Sequence, residues 1–414
     1  MTDLTNPSYP VSSELPKSMV ISKSLWMRPL KKLLKKLEYG SLTLELPNGE
    51  ALHFKGRLGE GPNASVILRN YKPISVFFLK GELAFAESFL AGDWETPNLT
   101  ELFDFALSNG TVLAPEKKGN FIEKIMLRLG HMRNANSRDG SKKNISFHYD
   151  LGNRFYEKWL DETMTYSSAL FESETDDIKD AQLRKYRKIA DMAELKQGEN
   201  ILEIGCGWGG FSEIAAKEYG CNIHGVTLSV EQLAYAQERY QRHQIDDQAT
   251  ASLTDYRDTD GTYDKIVSIE MFEAVGHEYW PTYFRTIQDR LKPGGIALLQ
   301  VILIDDNRFE QYRKNVDFIQ KYIFPGGLLP SRQALSESIK NHGLEVEDSL
   351  LFGRSYARTC AIWQKAFLSN WDMIEPLGFD ERFKRMWLYY LSYCEAGFMK
   401  GSIDVGLFKI RKPA

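Results

Sequence analysis

Leu202-Glu203-Ile204-Gly205-Cys206-Gly207-Trp208-Gly209-Gly210 reads as an apolar strand that runs directly into a glycine-rich turn. Phe211 to Tyr219 follows with helical character, so the turn closes a strand and opens a helix. Glycines there let the backbone approach a ligand closely, and the helix N-terminus offers free N–H groups. A dinucleotide site would require GxGxxG and an acid after the second strand. Here the spacing is GxGxG, the second strand runs into Thr227, and the acid, Glu203, lies inside the first strand. A nucleoside cofactor without a pyrophosphate fits better, and S-adenosylmethionine is the one expected. The bland alternative is a tight turn that holds no ligand.

Working outward, Asn222 to Val226 reads as a strand and Ser229 to His243 as a helix. Tyr263 to Ile269 and Gly295 to Ile302 supply two more strands, the latter after the turn Lys292-Pro293-Gly294-Gly295. Strands separated by helices predict a parallel, doubly wound α/β sheet with ligand sites at the carboxyl ends of the strands. The 414 residues exceed one such domain, and 12% aromatic content argues against disorder. A net charge of −4 argues against a nucleic-acid binder that works through bulk charge. The four cysteines lack CxxC spacing, so neither a metal site nor a disulfide framework is expected, and a reduced, cytoplasmic chain is the simplest reading. No apolar run approaches the roughly 20 residues of a spanning helix, so any membrane contact is expected to be peripheral.

The N-terminal part has a different texture. Residues 1–22 read as a flexible tail. In Ser24 to Tyr39, Leu30, Leu33, Leu34 and Leu37 alternate with Lys31, Lys32, Lys35 and Lys36, predicting a short amphipathic helix with a basic face. That face is either solvated or docks on anionic lipid. From Gly40 the pattern becomes two-residue: Leu42, Leu44 and Leu46, the turn Pro47-Asn48-Gly49, then Leu52 and Phe54, a β-hairpin. Val66–Leu68 and Val76–Phe78 suggest further strands, and Gly81 to Leu107 reads as largely helical with a break at Gly92-Asp93. The expected organisation is a smaller α+β domain over 23–130, a polar linker over 131–146 and the α/β domain over 147–414.

Several short motifs in order carry a resemblance. They are His148-Tyr149-Asp150-Leu151-Gly152-Asn153, Thr165-Tyr166-Ser167, the glycine loop, Gly225-Val226-Thr227-Leu228-Ser229 with Gln232, Met271-Phe272-Glu273, Lys321 to Gly326 and Arg382 to Met386. From about Ser146 onward the chain resembles the cyclopropane-fatty-acyl-phospholipid synthase family, and residues 40–110 look like that family's small N-terminal domain. The resemblance implies a Rossmann-like class I methyltransferase domain that uses S-adenosylmethionine. The implied substrate is the double bond of an unsaturated acyl chain on a membrane phospholipid, reached from the inner face of the membrane; a homodimer is also admitted. The implied cofactor residues are Tyr166, Ser167, Glu203, Gly205, Gly207, Gly209, Thr227, Leu228, Gln232, Tyr256, Arg257 and Ile269.

In the family a bound bicarbonate removes a proton from the new methyl group, closing a cyclopropane. The positions that hold it read Ser168, Glu273, Gln300, Ile302 and Tyr356 here, where the family has Cys, Glu, His, Ile and Tyr. Glutamine keeps a hydrogen-bond donor but loses the option of positive charge, which weakens an anion site. The Ser168 exchange is conservative if its backbone makes the contact. Tyr356 as a packed tyrosine with a satisfied hydroxyl is the bland reading. Without bicarbonate, a proton leaves a neighbouring chain carbon and the product is a methyl-branched alkene, the outcome this sequence favours over a cyclopropane. An inactive lipid-binding homologue is the alternative from another class.

Overall fold

The computed structural model describes residues 25–113, 140 and 151–414. The tail expected over 1–22, the linker over 131–146 apart from Gly140, and His148 to Asp150 lie outside the described residues. The chain forms two compact units. Among the described residues, the smaller contains 25–97 and 108–113, and the larger contains 98–107 and 151–414. Residues 98–107 thus group with the larger unit: Thr100 donates to Glu395 and Phe103 packs edge-on against Tyr389. Nothing in the composition marks that exchange, and the division into 23–130 and 147–414 stays a proposal.

In the smaller unit, β1 (Tyr39–Glu45) pairs antiparallel with β2 (Ala51–Lys55), as the turn chemistry requires, with Gly49 at φ 82°. β3 (Gly59–Leu68) adds in parallel to β1, and β4 (Trp94–Glu95) completes the order β2-β1-β3-β4. The Leu/Lys segment is a helix only over Met27–Leu34. It buries Leu34, and Leu37 just beyond it, and leaves Lys31, Lys32, Lys35 and Lys36 exposed. Val76–Phe78 is not a strand. It lies inside the helix Lys72–Lys80, with Pro73 in the first turn, Ile74 and Val76 buried, and Phe78 stacked on Trp26. A short apolar run has no period of its own, and packing decided it.

The larger unit is a seven-stranded sheet. Its strands are β5 (Asn200–Ile204), β6 (Asn222–Thr227), β7 (Ala249–Leu253), β8 (Tyr263–Ile269), β9 (Leu291–Ile304), β10 (Glu345–Leu351) and β11 (Ile403–Arg411). Read from one edge the order is β7-β6-β5-β8-β9-β11-β10. The first five are parallel, and β11 and β10 add antiparallel. This is the expected doubly wound class I methyltransferase fold. Continuous apolar runs such as Leu298, Leu299 and Val301 are fully buried, as strands covered on both faces must be. Strand order reverses between β5 and β8, and that switch point places a crevice beyond the carboxyl ends of these strands. The glycine loop leaves β5 there.

Candidate active site

All three loop glycines have positive φ: 83° at Gly205, 53° at Gly207 and 81° at Gly209. Their surroundings differ. A Cβ on Gly209 would lie 2.7 Å from the Tyr240 ring, and one on Gly205 would lie 3.0 Å from Met271 Cγ. At Gly207 a Cβ would meet nothing within 4 Å among the described residues. The outer two glycines therefore serve packing, whereas Gly207 presents bare backbone to open space. That is a cradle into which a ligand fits and a side chain would intrude. Glu203 is buried under this turn, where Ser212 of the following helix (Gly210–Tyr219) donates to its carboxyl. Burial pushes that carboxyl up to about 8. Its role in the structure is to tie strand, loop and helix together.

At the end of β6, Thr227 Oγ1 donates to Gln232 Oε1 at 2.9 Å and accepts the Ser229 amide at 3.2 Å. Ser229 caps the helix Val230–Arg242 through the Gln232 amide. Thr227, half-buried Leu228 and Gln232 thus form one fixed step beside the loop. After β7, Asp255 holds Arg257 by an ion pair at 2.6 Å, the guanidinium lies over the Tyr256 and Tyr279 rings, and Tyr256 packs on Tyr283. Ile269 ends β8, half-buried. The segment carrying Tyr166 is anchored to the loop: Arg239 donates to the carbonyls of Trp208 and Thr163, and Trp208 donates to Asn153 at 2.7 Å. The Tyr166 ring sits among Tyr156, Trp159 and Trp363, with its hydroxyl 2.7 Å from that of Tyr390.

Three of the five residues carried over as anion ligands, Ser168, Gln300 and Tyr356, converge, but on a side chain that the sequence reading missed. Glu270, one residue beyond β8, accepts four hydrogen bonds. Its Oε1 receives Ser167 Oγ at 2.7 Å, the Ser168 amide at 3.0 Å and Gln300 Nε2 at 2.6 Å. Its Oε2 receives the Tyr356 hydroxyl at 2.6 Å. Ser168 makes its contact through the backbone, while its hydroxyl turns to the Ala169 carbonyl. Lys185, fully buried on the helix Ile178–Met192, donates to Ser167 Oγ at 3.0 Å, and Gln182 donates to the Ser167 carbonyl at 2.7 Å. Burial brings the Lys185 ammonium down to about 7, opposed by the nearby carboxylates led by Glu270.

Glu273 and Ile302 meet each other: the Ile302 amide donates to Glu273 Oε1, and Glu273 Oε2 is buried with no partner among the described residues. Burial, with the negative charge of Glu270 nearby, pushes the Glu273 carboxyl up to about 8. Tyr356 stacks on Phe398 at 4.4 Å, so it is a packed tyrosine whose hydroxyl is also spent on the network. The signal for Glu270 was present in the sequence: an acid just past the carboxyl end of a parallel strand, where such folds place their chemistry. No cluster of His, Cys, Asp and Glu suited to a metal occurs among the described residues.

Three comparisons bear on this site. The family model for mycolic acid cyclopropane synthetase matches residues 136–408. Tuberculostearic acid methyltransferase of Mycobacterium tuberculosis is 40% identical over 336 residues, covering 78% of each chain. Cyclopropane-fatty-acyl-phospholipid synthase of Escherichia coli is 36% identical over 327 residues, covering 79% of this chain and 82% of that one. Among solved structures, a mycolic acid cyclopropane synthase complexed with SAH and CTAB superposes with a TM-score of 0.61 at 30% identity. It covers 66% of this chain and 98% of its own.

Proposed function

The chain belongs to the mycolic acid cyclopropane synthetase family, and on that premise we propose that it methylates the double bond of unsaturated acyl chains in membrane phospholipids, giving a methyl-branched alkene. S-adenosylmethionine, when bound, supplies an electrophilic methyl group on a positively charged sulfur. Bare backbone at Gly207, flanked by Gly205 and Gly209, fits its amino-acid moiety. Thr227, Leu228 and Gln232 are the proposed ribose contacts, Tyr256 and Arg257 lie towards the adenine, and Tyr166, Ser167 and Ile269 close the near side. Glu203 acts one step behind, through Ser212 and the loop.

An alkene is a weak nucleophile, so the chain's main task is to hold it in line and exclude water. A positive charge develops on the acyl chain as its π electrons are drawn away. An aromatic face such as that of half-buried Tyr166 suits that charge, a contact worth about 2 kcal/mol when desolvated.

The observation that carries the choice of product is Gln300. Its amide has no positive charge to offer a bound anion, and its Nε2 is already engaged by Ser167 and Glu270. The relative named a tuberculostearic acid methyltransferase supports the same choice, and the Escherichia coli synthase supports cyclopropane formation. The test of the activity is the fatty-acid profile of cells expressing the protein beside cells that do not. Unsaturated chains gaining one CH2 unit support it; an unchanged profile with soluble, folded protein refutes it.

Attachment to the membrane is proposed to be electrostatic and peripheral. The apolar side of the Met27–Leu34 helix buries Leu34 in its own unit, which leaves the lysine face for lipid. No helix among the described residues is long and apolar enough to cross a membrane. Each lysine near an anionic surface contributes ~1 kcal/mol. Replacing Lys31, Lys32, Lys35 and Lys36 by Gln is expected to reduce pelleting with anionic vesicles and to remove its salt dependence. Salt-insensitive binding that survives the replacement rules the helix out as the anchor.

A further inference from the structure

We propose that the Glu270 carboxylate itself occupies the anion position formed by Ser167, Ser168, Gln300 and Tyr356, and that it is the base that takes the proton from the methylated acyl chain. The proposal rests on the methyl-transfer reading given above and adds a catalytic residue to it. Four donors from three separate parts of the chain converge on one carboxylate: a serine hydroxyl and the next residue's backbone amide, a carboxamide and a phenol. A bicarbonate held as the resemblance implies would need three of these groups, on Ser168, Gln300 and Tyr356, so the carboxylate and the ion exclude each other.

The distribution of donors is uneven. Oε1 accepts three hydrogen bonds and Oε2 accepts one. A carboxylate has about four lone-pair sites, so the spare acceptor capacity lies on Oε2. Lys185 fixes the direction of the Ser167 hydroxyl: by donating to Ser167 Oγ it leaves that proton aimed at Glu270.

The backbone supplies a second, independent observation. Glu270 has φ 51°, in the left-handed region that a β-carbon disfavours. Glycine would relieve that cost, yet the position carries a long acidic side chain, and such strain persists where function requires it.

The step balances as follows. The alkene π pair forms the new carbon–carbon bond as the methyl–sulfur bond breaks, leaving the neighbouring chain carbon electron-poor. A C–H bond beside that carbon then breaks; its proton goes to Glu270 Oε2 and its electron pair becomes the new double bond. No ion from solution takes part.

The test uses the full-length protein with Glu270→Gly and Glu270→Gln. Glycine suits the backbone at this position, and circular dichroism checks that both variants fold. With a trideuteriomethyl donor and bicarbonate-free buffer, the wild type is expected to turn over at full rate and to retain all three deuterons in the product. E270Q is expected to fall about 100-fold or more, with no rescue by added anions. E270G is expected to fall similarly and to recover with bicarbonate or formate. With bicarbonate its product is expected to shift towards a ring that retains two deuterons.

A separate arm needs neither cofactor nor turnover. [13C]bicarbonate titrated against the cofactor-free protein is expected to broaden in carbon NMR with E270G and to stay sharp with the wild type. Broadening with the wild type, or E270Q retaining wild-type turnover, would overturn the proposal. If the wild type converts no unsaturated lipid, the methyl-transfer reading fails, while the NMR arm still decides who holds the anion position.

Discussion

The two ends of the crevice are built from different materials. The end proposed for the cofactor is mostly main chain: the positive-φ glycines 205, 207 and 209, and a capped helix start at Ser229. The end proposed to accept the proton is mostly side chain: Ser167, Glu270, Gln300 and Tyr356 are drawn from positions up to 189 residues apart and tied by bonds of 2.6–3.1 Å. Main chain tolerates no bulk, whereas a side-chain network tolerates bulk but not a lost donor or acceptor. The two ends should therefore fail in different ways under mutation.

The largest effect is expected at the cofactor end. Gly207→Val places a branched side chain, at φ 53°, in the space left open beside the loop. Calorimetry should show S-adenosylmethionine affinity lost by about 100-fold or more while the fold is kept. Unchanged affinity in a folded variant would remove the glycine loop from the cofactor site. A smaller effect is expected from Tyr356→Phe, which deletes the one donor to Glu270 Oε2 and leaves the ring on Phe398. A hydrogen bond to a charged group is worth about 1.5–3 kcal/mol, or roughly 10- to 150-fold. The loss should appear in kcat, with cofactor affinity and the KM for lipid nearly unchanged. A change in cofactor affinity instead would mean that the two ends are one site.

The smallest effect concerns Glu203, on the cofactor side. Burial pushes its folded carboxyl up to about 8, above its ordinary value. The native state therefore holds a proton that the unfolded chain releases, and stability falls as pH rises between the ordinary carboxyl range and about 8. Glu203→Gln removes that contribution. Melting temperatures compared near pH 5 and near pH 8 should decline less in the variant than in the wild type. An equal decline would assign the slope to Glu273, whose burial acts in the same direction.

The same contrast explains what the sequence disclosed. The glycine turn, the strands over 201–204, 222–226 and 263–269, and Thr227 with Gln232 are local patterns, and local patterns are visible in a linear chain. β7, β10 and β11 escaped because Ala249–Leu253 and Glu345–Leu351 lack strong apolar alternation, and β11 takes its place through pairing with β9 on one side and β10 on the other. Val76–Phe78 was misassigned because a three-residue apolar run suits either period. Ser168, Gln300 and Tyr356 were found through resemblance, yet the group they serve was not. Glu270 acquires its meaning from donors at 167, 168, 300 and 356 that only the fold brings together. Lys185 is similar: on a helix it reads as one more surface lysine, and only packing shows it buried against Ser167.

The most direct test of the central claim is ozonolysis of the product formed by the wild-type protein on monoene and diene phospholipid vesicles. A methyl-branched alkene and a cyclopropane have the same mass, so only reactivity separates them. The expected product is cleaved by ozone next to the added methyl group, and it forms at the same rate in buffer stripped of bicarbonate. An ozone-resistant product whose formation accelerates when bicarbonate is added would contradict the account.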